Sequence, residues 1–327
     1  MRVVLWLVAG LAVLWAGYWY ASARTLRHAT EAALAAMKAE GRADYGAIDL
    51  GGFPARFRLS VTDPALSDPE GGWSWRAASL VVHALAYDPA RIIAVLPADQ
   101  TLTAGRETIA LSTTDLRASA GFGLATALPL QHAEAVGGGF LAQSDQGWSL
   151  AGADLRLALR EEDPARFRYR LGAAASGLAV SGLPAEVLTR ARLTTGPGRL
   201  RLDAEASFDR ALDRTIAEAP PRPTGLDIRA LELDWDRLSL RGSGALTIGA
   251  GGAPDGTLAL ELTHWQGLPP LLVAAGVIPP DMETALTRMM AELASRSGQP
   301  DALSLPLSFK AGWVALGPLP LGPAPRF

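Results

Sequence analysis

Apolar and polar residues keep three different rhythms along this chain. From Val3 to Tyr20 the run is apolar, without one charged residue. From Arg24 to Glu40 apolar positions recur at helical spacing. Leu26, Ala29, Ala33, Leu34 and Met37 form a stripe that Arg27, Glu31 and Lys38 avoid, and Gly41 is a natural stop. From Ala47 onward the period is two. Phe57, Leu59 and Val61 alternate with Arg58 and Ser60, and Leu155, Leu157 and Leu159 alternate with Arg156, Ala158 and Arg160. Phe167, Tyr169 and Leu171 alternate with Arg168 and Arg170, and Leu258, Leu260 and Leu262 repeat the pattern. Such alternation predicts strands with one covered face and one wet face.

Turn signals separate these strands, among them Asp63-Pro64, Asp68-Pro69, Gly71-Gly72 and Asp255-Gly256. Leu226 and Ile228 have the opposite parity to Leu231, Leu233 and Trp235, which predicts a bulge near Arg229–Ala230. Helical spacing returns at Phe208–Ala219, with Leu212 and Ile216 four residues apart ahead of Pro220-Pro221. It returns again over about 269–297, where Met282, Leu286, Met289, Met290 and Leu293 share a face. The predicted fold is mainly β (α+β): a large curved antiparallel β-sheet or sandwich with a C-terminal helical hairpin, preceded by an N-terminal transmembrane helix. The expected divisions are an anchor at 1–23, a juxtamembrane helix at 24–41 and a β-rich domain at 42–327.

The first rhythm sets the place of action. Eighteen helical residues at ~1.5 Å each span ~27 Å, close to the ~30 Å hydrocarbon core of a bilayer. Trp6 at one end and Trp15, Tyr18, Trp19 and Tyr20 at the other suit the two interfaces. Arg2 followed by an apolar run and Ala21-Ser22-Ala23 also fits a cleavable signal, and a buried core helix is a third reading. The expected location is the inner membrane, single-pass, with the large domain in the periplasm; the alternative is cleavage and secretion to the periplasm. Arg24, Arg27, Lys38 and Arg42 argue against export by charge count, but long domains translocate largely regardless of flanking charge.

Composition narrows the chemistry. With 49% apolar residues in 327 the chain can build a sizeable core, and a net charge of -3 excludes the basic field that nucleic-acid binders use. Cys is absent, which removes disulfides, thiol nucleophiles and thiolate metal sites. His28, His83, His132 and His264 are scattered, with no pair at metal-ligand spacing on a helix. No phosphate-binding glycine loop or nucleophile elbow occurs; Gly249 to Gly256 reads as a hairpin loop. No catalytic, cofactor-binding or metal residue is therefore named, no cofactor is expected, and the chain reads as not an enzyme.

Two charge patterns remain. Glu232, Asp234 and Asp236 alternate on one strand, where they either hold a hard cation or pair with arginines next door. A hairpin from Leu155 to Leu171, turning at Glu161-Glu162-Asp163-Pro164, would show Arg156, Arg160, Arg168 and Arg170 on one wet face. Clustered guanidinium groups can grip phosphates, including lipid headgroups; pairing with acidic neighbours is the competing reading.

A series of short segments carries a family resemblance. Gly51-Gly52-Phe53-Pro54-Ala55-Arg56-Phe57-Arg58-Leu59 leads into Thr62-Asp63-Pro64, then Trp73-Ser74-Trp75-Arg76 and Tyr87-Asp88-Pro89. Leu233-Asp234-Trp235, Gly242-Ser243-Gly244 and the ending from Leu316 to Pro325 complete the order. This resembles the family called domain of unknown function 2125, membrane-anchored proteins of alphaproteobacterial type, which implies an envelope protein but assigns no residue a role. A looser similarity is to AsmA-like envelope proteins, which implies a curved sheet whose apolar groove handles lipid. The expected partners are the membrane through the anchor, and phospholipid or another envelope protein through the sheet. The expected function is lipid binding or support of envelope assembly through an apolar sheet face. The alternatives are a protein-binding assembly factor and an envelope hydrolase.

Overall fold

The computed structural model describes residues 2–327 apart from 70, 217, 218, 297 and 298, with side chains described from residue 10 onward. One uninterrupted helix, α1 (Arg2–Ala39), joins the predicted anchor and juxtamembrane segments. It ends at Gly41, whose left-handed φ of 71° lets the Arg42 N–H reach back to Met37 O at 2.8 Å. Its packed side is Trp19, Ala23, Leu34 and Met37. Leu26, Ala29 and Ala33 of the predicted stripe stay exposed, because α1 meets only the first few strands of the sheet, along a narrow contact line.

From Ala43 the chain is strand almost to its end. The first half contains β1 (Ala43–Asp44), β2 (Ile48–Gly51), β3 (Arg56–Thr62), β4 (Ala65–Asp68), β5 (Trp73–Ala77), β6 (Ser79–Leu85) and β7 (Asp88–Val95). It continues with β8 (Asp99–Ala104), β9 (Glu107–Thr113), β10 (Arg117–Phe122), β11 (Leu130–Gly137), β12 (Phe140–Ser144), β13 (Ser149–Gly152) and β14 (Asp154–Asp163). The second half has β15 (Arg168–Ser181), α2 (Leu183–Arg190), β16 (Gly198–Phe208), β17 (Pro223–Trp235), β18 (Leu238–Ile248) and β19 (Pro254–Thr263). After α3 (Leu268–Ala274) and α4 (Glu283–Arg296) it closes with β20 (Ala302–Lys310), β21 (Trp313–Leu316) and β22 (Leu319–Pro323).

Every pairing is antiparallel, and the strands form one open sheet rather than a sandwich. In the first half, consecutive strands such as β3 and β4, or β9 and β10, are two halves of one long strand broken at a crease. The breaks fall at Asp63–Pro64, Ala78, 96–98, 114–116, Gly138–Gly139 and Ala153. Hydrogen bonds continue across them, Asp63 N–H to Ala78 O at 3.0 Å, Thr114 N–H to Gly139 O at 2.9 Å and Ala153 N–H to Ser176 O at 2.8 Å. Asp63-Pro64, expected as a turn, is thus a bend within one strand path. In β15 the same line is crossed by a bulge at Gly177, with φ of 62°. That extra residue switches parity, so Ala175 and Leu178 both point inward and are both buried.

The bulge expected near Arg229–Ala230 is present: the register of β17 slips there against both neighbours. The helical hairpin expected at about 269–297 is present as α3 and α4, residue 297 lying outside the described residues; Met282, expected on the buried face, is exposed in the 3₁₀ turn before α4. Phe208–Ala219 is not a helix over its described residues: Phe208 ends β16, and those after it form bends and turns. Leu212 is buried there because its N–H bonds the Tyr169 hydroxyl at 3.1 Å and its carbonyl accepts from Leu130 N–H at 2.7 Å, anchors that hold an irregular path. Asp255-Gly256 lies inside β19, the turn being 249–253. Phe167 leaves its strand, with φ of 50°, at the end of a short 3₁₀ turn. The α2 helix was not foreseen; its second residue is Pro184, admissible only in a first turn.

The strand register lays out a single apolar face. One row runs Leu59, Val82, Ala94, Ala118, Ala135, Leu157, Ala173, Leu202 and Leu231 across nine strands. The next runs Phe57, Ala84, Ile92, Ala120, Ala133, Leu159, Leu171 and Ala204. At one end this face is covered by Trp19 and Ala23 of α1, packed with Phe57 and Leu50. At the other, α3 and α4 set Leu271, Leu286, Met290 and Ala294 over Leu258, Leu260, Leu262, Leu303 and Leu305.

Candidate functional site

Between those two covers the apolar face lies open. Ile92, Ala94, Ala118, Ala120, Ala133, Ala135, Leu157, Leu159, Leu171, Ala173 and Leu202 line a hollow of about 470 Å³. That volume is within the range of small-molecule sites, ~300–1,000 Å³. The alanines give it depth: three strands carry small residues at five successive inward positions, flanked by leucines on β14 and β15. Leu157, in the middle of the row, is 45% exposed although its neighbours in the register are all apolar. The sequence signal was present in Ala118-Ser119-Ala120 and Ala133-Glu134-Ala135, but alternation of alanine is a faint mark beside alternation of leucine.

The opposite face carries the arginines. Arg156, Arg160, Arg168 and Arg170 share one side of the β14–β15 hairpin, as their alternation required. Arg170 makes a two-pronged bond to Asp203, Nε at 3.0 Å and Nη2 at 2.8 Å. The hydrogen bond from Arg170 holds the Asp203 carboxyl below the usual carboxylate range. Arg168 pairs with Glu205, which also receives Arg229 at 2.7 Å. Two of the four candidates are therefore engaged by acids on β16. Among the described residues Arg156 and Arg160 form no ion pair; with Glu134, Glu162, Arg170, Arg201 and Asp203 they rim an outer hollow of about 450 Å³ over Ala158 and Gly172. Mixed charge makes that rim a weak anion trap. It also lies across the sheet from the apolar hollow, so one lipid cannot place its headgroup there and its chain on the alanines.

The acidic triplet disperses. Asp234 accepts Arg241 at 2.9 Å and the Ser239 hydroxyl at 2.6 Å, and its carboxyl is held low chiefly by the Arg241 bond. Glu232 faces Arg201 at 3.7 Å. Asp236 is in the β17–β18 turn, with φ of 55°, and accepts the Thr194 N–H at 3.0 Å. Arginine pairing thus takes up the two carboxylates that lie on the strand, Glu232 and Asp234. The histidines stay apart: His28 lies 3.7 Å from Glu31, His132 packs over Gly121, and His264 starts a 3₁₀ turn. The His83 Nδ1 is buried without a partner. Among the described residues no three His, Cys, Asp or Glu side chains come together as metal ligands.

The loop 52–55 that opens the family-like segments is where α1 meets the domain. Trp19 stacks on Phe57 at 5.7 Å and meets Phe53 edge-on at 5.4 Å. Residues 19–325 match the family described as uncharacterized protein conserved in bacteria (DUF2125). The chain belongs to the DUF2125 family. The DUF2125 match begins at Trp19, the residue that fastens α1 to the sheet, and takes in both faces of β14. No curated protein and no solved structure matches this DUF2125 chain, so the looser AsmA-like similarity has no support from them. Among the described residues no helix is long and apolar enough to cross a membrane. The expected span, Val3–Tyr20, falls partly on residues 3–9, whose side chains lie outside the described set.

Proposed function

We propose that this protein is a membrane-anchored, non-enzymatic lipid-binding protein of the cell envelope, held in the inner membrane by Val3–Tyr20 with its sheet in the periplasm. The open apolar hollow between α1 and the helical hairpin carries the reading. Eleven inward side chains there are alanine, leucine or isoleucine, and a face of that kind gains about 25 cal/mol per Å² when a ligand removes it from water. An acyl chain supplies the required shape and needs no polar partner. The uncharged run of Val3–Tyr20 supports the anchor, and the small polar inventory of the hollow argues against hydrolysis.

The test is purification of the full chain in mild detergent, followed by lipid extraction and mass spectrometry. Phospholipid at about one per chain is expected. A second protein in equal amount, with no phospholipid, would make the face an assembly surface and overturn the lipid reading. Reporter fusions after Gly41 and at Phe327 check the periplasmic placement, which a cytoplasmic signal would refute.

A further inference from the structure

The end of the sheet beside α1 bears apolar tips that face solvent. Among the described side chains, contact between α1 and the domain starts at Trp15, whose Nε1 donates to Pro54 O at 2.9 Å. Tyr18 donates its hydroxyl to Ala86 O at 3.2 Å, and Trp19 Nε1 donates to Arg56 O at 3.0 Å. The helix from Arg2 to Leu14 therefore projects past the loops, ~20 Å at ~1.5 Å per residue. Leu11, Val13 and Leu14 on that projection are exposed.

Three turns stand at this same end, 52–55, 86–87 and 123–129. They are neighbours in the sheet, since β3 pairs with β6, β6 with β7, and β7 with β10. Their tips carry Phe53, Tyr87 and Leu124, which are 56%, 70% and 93% exposed. Beside Tyr87, Asp88 pairs with Arg91 at 3.3 Å. Aromatic and apolar tips beside a projecting apolar helix match the interfacial layer of a bilayer, where Trp and Tyr concentrate.

We propose that these three turns sit in the interfacial layer of the bilayer that holds α1. Trp15, Tyr18 and Trp19 then lie in the interfacial layer with the turns, Arg2–Leu14 enters the hydrocarbon, and the domain rests on the membrane. This inference rests on the anchor reading above. It deepens the lipid reading as well, because the row from Phe57 through Ile92 and Ala120 is the side of the apolar face nearest these turns. A lipid leaving the bilayer would meet that row first.

The absence of cysteine makes the test direct. Tyr87→Cys, Leu124→Cys, Leu11→Cys and Arg106→Cys each give the full chain one thiol for an environment-sensitive fluorophore. Arg106, in the exposed β8–β9 turn, marks the opposite end of the sheet. The labelled proteins are reconstituted in phosphatidylcholine vesicles containing either doxyl-labelled lipid or no lipid quencher, with iodide as the aqueous quencher. Lipid quenching several-fold stronger at positions 87, 124 and 11 than at 106 is expected. Lipid quenching at 11 with iodide quenching at 87 and 124 would overturn the proposal and leave the anchor standing. Iodide quenching at 11 would remove the anchor and the proposal together. Protection of 87 and 124 from both quenchers would overturn it in favour of contact with a protein, such as a second copy.

Discussion

Replacing Leu157 by Glu puts a carboxylate in the middle of the open apolar row, between Ala135 and Ala173. Full burial of a leucine is worth ~1.5–3 kcal/mol, and this one is nearly half exposed, so the cost to folding is about 1–1.5 kcal/mol. At ~2–4 °C per kcal/mol for a domain of this size, Tm should fall by only about 2–6 °C. The carboxylate stays hydrated while the hollow is empty. A chain laid over it must strip that water, at several kcal/mol per ion, and each 1.4 kcal/mol is tenfold in affinity. Lipid retention should drop by about 100-fold or more. The assay pairs phospholipid per purified chain with displacement of a fluorescent fatty acid, alongside thermal unfolding. Arg156→Glu is the matched control: one residue away on the same strand, it faces the other side and should leave retention unchanged. Undiminished lipid in Leu157→Glu with the fold intact would refute the reasoning, and an equal loss in Arg156→Glu would move the ligand to the arginine face.

Met290, 1% exposed beneath α4, should cost ~2–5 kcal/mol when changed to Ala, read as a fall in Tm and faster hydrogen exchange in α4. Trp19→Ala removes the stack on Phe57 and the bond to Arg56 O, so exchange should rise in the 52–56 loop while β16 to β20 keep their protection; unchanged exchange there would disprove the docking. Asp203 and Asp234 are both held below the ordinary carboxylate range, by Arg170 and by Arg241. Their stabilisation is complete above the unfolded value of about 3.9 and is lost as pH falls through the folded values. Tm should therefore decline below about pH 4, with a shallower decline in Asp203→Asn, and identical acid slopes would contradict this.

The strand rhythm was legible because one face of each strand meets apolar groups and the other meets water. That is a local demand, written at every second residue from Phe57 to Leu262. The bulge at Arg229–Ala230 was legible for the same reason, since only an extra residue reconciles two runs of opposite parity. The stop at Gly41 and the hairpin of α3 and α4 were also local. The crease was not, because Asp63-Pro64 and Gly138-Gly139 are turn signals whether the chain reverses or only bends, and hydrogen bonds to distant strands decide which. Phe208–Ala219 failed likewise: Tyr169, some 40 residues away, fixes Leu212 in a turn that local spacing could not foresee.

At the candidate site the division is sharper. Arginines 156, 160, 168 and 170 could be placed on one face from their alternation alone. Only the register of β16 showed that Asp203 and Glu205 already occupy two of them. Sequence by itself determined an N-terminal helix that opens on an uncharged run, a one-faced antiparallel sheet and a helical cover, because these follow from each residue's preference for water or its absence. Tertiary structure decided how far the covers reach. Burial is a property of the assembled surface: α1 packs over Phe57 and Leu50 and the hairpin over Leu258 to Leu305, so the alanines and leucines between them are left open.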